Sequence, residues 1–131
     1  MELKVATKIS IKESPGKGLG CFATKKIFKG EIIEECHLLT LPIPLGEPSS
    51  LFNDYRFNWP QSGEVKELVI PFGYGCIYNH SNNNNATWQD HPYYKAFQFV
   101  AIRDIEPGEE ICTYYGSDAY WNDGRNHIDI L

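Results

Sequence analysis

The sequence predicts a mostly-β domain of short strands joined by long loops. Three observations carry this reading. Apolar and β-branched residues gather in short runs bounded by glycine, proline and asparagine, and aromatic residues make up 14% of the chain. Eleven glycines and eight prolines supply turns, and no helical period extends beyond a couple of turns except over Ser117 to Asp123. A chain of 131 residues suits one domain, able to bury roughly two thirds of its unfolded surface.

The elements follow in order. Val5, Thr7, Ile9 and Ile11 alternate with Lys8, Ser10 and Lys12 as a half-buried strand, ended by Ser14-Pro15. Gly16-Lys17-Gly18-Leu19-Gly20 reads as a tight turn before a second short strand, Cys21-Phe22-Ala23. The turn lacks the third glycine and the following helix of a dinucleotide fingerprint. Lys29-Gly30-Glu31 turns into an apolar-rich core strand, Ile32 to Leu41, and Pro42 to Pro48 breaks it. Phe52, Tyr55, Phe57 and Trp59 fall mostly at strand spacing and suit either core or a pocket wall. Val65 to Phe72 is a further strand, and Lys95 to Ile102 a strong one. Glu106-Pro107-Gly108-Glu109 turns into the closing segment, Glu110 to Gly116.

Charge and cysteine usage bound the function. Twelve basic and 17 acidic residues give a net charge of -5, which repels nucleic acid and favours a basic partner. Cys21, Cys36, Cys76 and Cys112 stand far apart with no Cys-x-x-Cys pair, so reduced, buried thiols are expected rather than a zinc knuckle or a disulfide framework. No apolar run has signal-peptide or membrane-span length, so a soluble, intracellular protein without a membrane partner is expected. The triplets Asn79-His80-Ser81 and Asn85-Ala86-Thr87 are then chance matches to a glycosylation signal. His37, His91 and His127 show no metal-ligand spacing and read as surface or structural, with no metal implied.

The stretch Gly73 to Ser81 is the natural anchor for a site. Its glycine and aromatic positions lead into Asn79 and His80, two side chains that can read hydrogen-bond edges, and the asparagine run 82–85 that follows is too polar to pack. Asn79-His80-Ser81 is equally a turn with side-chain-to-backbone hydrogen bonds. A cysteine-nucleophile enzyme using Cys76 and His80 is a further alternative, weakened because nothing around Cys76 suggests a lowered thiol pKa.

Four separated pieces in one order resemble the SET-domain family of protein-lysine methyltransferases. They are Gly18-Leu19-Gly20 with Cys21-Phe22-Ala23, Asp54-Tyr55-x-Phe57, Tyr78-Asn79-His80-Ser81 with Asn85, and Gly108-Glu109-Glu110-Ile111 ending in Tyr115-Gly116. The resemblance runs from about Lys8 to Trp121 and is greatest to compact stand-alone members such as the viral SET proteins. It implies a single SET domain over residues 1–131. The expected fold is β-clip-like, with several small curved sheets and a knot-like crossing in which the Asn79-His80 segment passes beside the Tyr115 segment. It also implies S-adenosylmethionine on one face, a lysine channel from the other, and a basic protein, peptide or histone tail as substrate. The setting would be cytoplasm or nucleus, of a host if the source is viral or bacterial, and the viral relatives point to a homodimer.

Carried over residue by residue, the backbone of Lys17, Gly18 and Leu19 is expected to hold the methionine end of the cofactor. Asn79 would lie near its amino-acid portion, and the main chain of His80 would read the adenine edge, its ring being structural. Tyr55 and Tyr115 would be catalytic, with Tyr115 at the methyl-transfer point. Tyr115 would also touch the cofactor, and Tyr55, Thr113, Trp88 and Tyr120 would line the channel, although ordinary packing is the competing reading for Trp88. The chain carries no cysteine-rich zinc segment after Tyr115, so Tyr120 or Trp121 is expected to cover the adenine. Of Tyr114 and Tyr115, adjacent on a strand, one is expected in the core, and Glu109-Glu110 reads as turn solvation. A non-catalytic module that keeps the fold remains an alternative; loss of Tyr115 or Asn79 would have favoured it, and both are present.

Overall fold

Among the described residues, 2–42 and 57–115 of a computed structural model, the chain forms nine strands and no helix. β1 (Ile9–Ser14) and β2 (Gly18–Ala23) make an antiparallel hairpin with Ile9 opposite Ala23 and Ser14 opposite Gly18. β3 (Ile32–Thr40), β4 (Phe57–Trp59) and β5 (Glu67–Pro71) follow. Next come β6 (Asn79–His80), β7 (Ala86–Asp90), β8 (Ala96–Ala101) and β9 (Glu110–Thr113). They assemble into a five-stranded sheet of order β4-β5-β3-β8-β7 and a four-stranded sheet of order β1-β2-β9-β6.

The five-stranded sheet is antiparallel throughout and holds most of the aromatic core. Ala96, Phe97, Gln98 and Phe99 of its inner strand β8 are all buried, as expected of a strand covered on both faces. Phe57 meets Trp88 edge-on with centroids 4.9 Å apart, and Phe99 lies 4.8 Å from Tyr78. One apolar cluster runs from Val69, Phe97 and Phe99 of this sheet to Cys21 and Ile111 of the other, so a single core serves both. A β-bulge at Ile33, between the pairs Ile32–Val100 and Glu34–Phe99, turns two consecutive side chains inward and buries the carboxylate of Glu34.

In the four-stranded sheet β9 lies between β2, antiparallel to it, and β6, parallel to it with Asn79 opposite Cys112 and His80 opposite Thr113. This is the crossing implied by the family resemblance. It joins segments some thirty residues apart.

Several elements differ from the sequence reading. The first strand begins at Ile9 rather than Val5, which is 76% exposed, and Ile11 faces out because β1 is a sheet edge. The expected turn at 16–20 is shorter, since Gly18 to Gly20 already belong to β2. β3 is core only in its first half, with His37, Leu39 and Thr40 exposed. β7 was not anticipated: five residues directly after the asparagines pair with β8, and the polar tract masks the strand beside it.

Candidate functional site

The crossing is built by polar groups. Ser81 N–H donates to Thr113 O at 2.9 Å, and Asn85 N–H donates to Cys112 O at 3.2 Å. The Asn85 side chain then grips β9 from both ends of its amide: Oδ1 accepts Cys112 N–H at 2.9 Å, and Nδ2 donates to Glu110 O at 2.8 Å. Asn85 is 2% exposed. The expectation that the asparagine run cannot pack is therefore wrong for its last member, because a buried amide whose donors and acceptors are matched loses little on leaving water.

Asn79, at the start of β6, has both amide hydrogens committed. Nδ2 donates to Leu19 O at 3.0 Å and to Glu110 Oε2 at 2.7 Å, while Glu110 Oε1 accepts from the Ser14 hydroxyl at 2.9 Å. Gly20 makes room for this cluster: a Cβ there would lie 2.5 Å from Glu110 Oε2 and 3.0 Å from Asn79 Nδ2. Glu109 and Glu110, read together as turn solvation, divide the work. Glu109 does cap the turn, accepting Glu106 N–H at 3.0 Å and pairing with Arg103 at 3.0 Å. Burial works to raise its pKa, but these partners outweigh it and hold the carboxyl below the ordinary value. Glu110 faces the crossing instead.

His80 is buried and links three segments. Its Nδ1 accepts the Tyr115 N–H at 2.7 Å, which places the ring proton on Nε2, 3.3 Å from Asn82 Oδ1. Its carbonyl accepts Lys17 Nζ at 3.2 Å. The Tyr115 hydroxyl donates to the carbonyl of Tyr78, so this tyrosine is fixed at its backbone by His80 and at its tip by the residue before Asn79. Tyr114 lies 5.0 Å from the His80 ring and is 43% exposed, and Tyr115 is half-buried. Neither is in the core, contrary to the strand-alternation argument, because regular pairing of β9 ends at Thr113.

Of the other expected site residues, Gly18 opens β2 in the left-handed region at φ 80°, with nothing within 4 Å of where a Cβ would stand, and Leu19 is exposed. Thr113 is fully buried opposite His80. Trp88 sits on β7 against Phe57 and Phe99 at the margin of the aromatic core. Tyr55, Tyr120 and Trp121, together with the helical pattern over Ser117 to Asp123, lie outside the described residues.

The thiols are unreactive by environment. Burial pushes Cys76 and Cys112 each up to about 11 and raises Cys21 and Cys36 further. Cys76 Sγ points to Pro71 O at 3.8 Å, which leaves the Cys76–His80 nucleophile without support.

Sequence reasoning missed Glu34. Its carboxylate accepts from Tyr74 N–H at 3.1 Å, Tyr78 hydroxyl at 3.0 Å and Cys36 Sγ at 3.3 Å, tying β3 to the stretch that leads into Asn79. Burial raises its pKa despite these donors. A glutamate beside a second glutamate in a strand carries no sequence signal for burial; only the bulge puts it inside.

Both Nδ2 hydrogens of Asn79 are thus taken, by Leu19 O and Glu110 Oε2; Leu19 is exposed beside it, and the His80 carbonyl is taken by Lys17 Nζ.

The chain matches the SET domain family model over residues 18–116. It is 24% identical over 122 residues to a histone-lysine N-methyltransferase specific for H3 lysine-37 from Schizosaccharomyces pombe, covering 91% of this chain and 80% of that protein. A solved structure of a histone methyltransferase candidate from Plasmodium falciparum superposes with a TM-score of 0.68 at 30% identity, covering 86% of this chain and 96% of that one. With the paired Asn79-His80 and Tyr115 segments, these matches establish that the chain belongs to the SET-domain family of protein-lysine methyltransferases.

Proposed function

We propose that this chain transfers methyl groups from S-adenosylmethionine to the side-chain nitrogen of a lysine in a basic protein, with a histone tail as the first candidate. The observation that carries the reading is the double hold on Tyr115, backbone to the His80 ring and hydroxyl to the Tyr78 carbonyl, beside an Asn79 whose amide hydrogens are both committed, to Leu19 O and Glu110 Oε2. The likeness to a fission-yeast protein specific for H3 lysine-37 supports a histone substrate, and a net charge of -5 agrees with a basic partner.

S-adenosylmethionine, when bound, supplies a methyl group on a positively charged sulfur. Asn79 would accept from its ammonium, the backbone of Lys17 to Leu19 would border the methionine portion, and the His80 main chain would meet the adenine edge. Lys17 Nζ now holds the His80 carbonyl, so that side chain would yield to the adenine amine or share the acceptor with it. A target lysine starts with a pKa near ~10.4 and must shed a proton before its nitrogen can attack. An apolar channel and a nearby positive charge both favour that loss, so no strong base is required. The Tyr115 hydroxyl gives its proton to Tyr78 O, which suits it to orient the amine through its oxygen rather than to remove a proton. Alignment supplies the rest, up to about 7 to 11 kcal/mol in the best intramolecular cases.

The test is incubation with isotopically labelled S-adenosylmethionine and purified histones or a cell lysate, read by mass spectrometry of the marked residue. Label on a lysine side chain supports the proposal. Label on another residue type, or no label while the cofactor binds, contradicts it.

A further inference from the structure

Resting on the cofactor reading above, we propose that Glu110 is a positioning residue: it fixes the rotation of the Asn79 amide so that the oxygen, not the nitrogen, faces the cofactor, as an acceptor for its ammonium. An asparagine side chain presents nearly the same shape either way round, so something must choose. Here Nδ2 is met by two acceptors, Leu19 O and Glu110 Oε2. The flipped amide would set its oxygen against a carboxylate and a carbonyl, which repel it. The carboxylate is itself pinned, since its second oxygen takes the hydroxyl of Ser14, a residue 2% exposed.

The geometry belongs to this cluster rather than to one strand. Ser14 ends β1, Leu19 and Gly20 lie on β2, Asn79 on β6 and Glu110 on β9, so four segments converge on one amide. Gly20 is required for that convergence, because a Cβ would stand 2.5 Å from the glutamate oxygen. A carboxylate at 2.7 Å from Nδ2 also polarises the amide, enriching the oxygen that accepts.

Two probes separate this role from a merely structural one. S-adenosylhomocysteine carries the amino-acid end, whereas 5′-methylthioadenosine lacks it. Calorimetry on the folded chain should show Glu110→Ala weakening S-adenosylhomocysteine by about tenfold or more while moving 5′-methylthioadenosine by less than about twofold. Glu110→Gln keeps an acceptor for Asn79 and a group for Ser14, and should restore S-adenosylhomocysteine binding to within about threefold of the unaltered chain. Asn79→Ala with Glu110→Ala should be no weaker than Asn79→Ala alone, because the two act through one contact. Equal losses for both probes, or additive losses in the double variant, overturn the inference while leaving the cofactor reading in place. No binding of either probe by the unaltered chain overturns the cofactor reading and this inference with it.

Discussion

The two sheets are held together by different physics. In the five-stranded sheet Phe57, Trp88, Phe97, Phe99 and Val69 interdigitate, and apolar burial carries the stability. In the four-stranded sheet the crossing of β6 and β9 depends on Asn79, Ser81, Asn85 and Glu110, each hydrogen-bonded to backbone or to one another. The first arrangement tolerates small shifts, since dispersion and burial are non-directional. The second does not, because a hydrogen bond fails within a few tenths of an ångström and a buried amide left unmatched costs free energy. Directional bonding falls at the crossing of β6 and β9, and apolar packing supplies the mass that carries it.

This division can be broken by mutation. The largest stability loss should come from Phe99→Ala, about 3–5 kcal/mol in urea unfolding, since the ring joins Tyr78, Phe57 and Trp88. At a temperature where that variant remains folded, its cofactor affinity should stay near that of the unaltered chain. Tyr115→Phe should do the reverse, lowering single-turnover transfer by about 100-fold with little change in melting temperature or in S-adenosylhomocysteine affinity. Equal losses of transfer and affinity would mean that Tyr115 binds cofactor rather than orienting the amine.

Asn85→Ala is intermediate. It strands Cys112 N–H and Glu110 O, and about 1–3 kcal/mol of stability should go with them. Amide exchange should speed up along 110–113 before it does in β8, and uniform acceleration would deny that Asn85 acts locally.

Smaller still is a pH effect from Glu34. Burial raises its folded pKa above the ordinary value of 4.5, so folding disfavours the ionised form. The contribution is fully present below the unfolded pKa and is lost as pH rises through the folded one. Relative to the unaltered chain, Glu34→Gln should therefore gain stability as pH rises from about 4 to 7. A pH-independent difference between the two would place the ionisation of Glu34 outside the folding equilibrium. Smallest is Cys76→Ser, whose thiol is raised to about 11, and transfer should stay within about twofold of the unaltered chain.

The same contrast explains what could be read from sequence. Two strands of the apolar sheet announce themselves: Lys95 to Ile102 and Val65 to Phe72 contain β8 and β5 within a few residues. The parallel pairing of Asn79-His80 with β9 followed from motif order, because family resemblance encodes a long-range contact that periodicity does not. The bonding of the polar groups was illegible. Asn85 and Glu110 stand among the family motifs, but by residue type they look like a polar tract and an acidic turn, and only the approach of distant backbone atoms makes them matched, buried or half-buried partners. β7 was hidden by the asparagines before it, and the burial of Glu34 by a bulge that no alternation pattern predicts. Roles assigned to Tyr55, Tyr120 and Trp121 fall outside the described residues.

The central claim is that the β1–β2 turn, β6 and the end of β9 form one cofactor cleft. Backbone amide NMR with S-adenosylhomocysteine added to the unaltered chain tests it most directly. Shifts should concentrate at Gly18 to Gly20, Asn79 to Ser81 and Thr113 to Tyr115, with β4 and β5 unmoved; shifts confined to the five-stranded sheet, or none at saturating ligand, would contradict it.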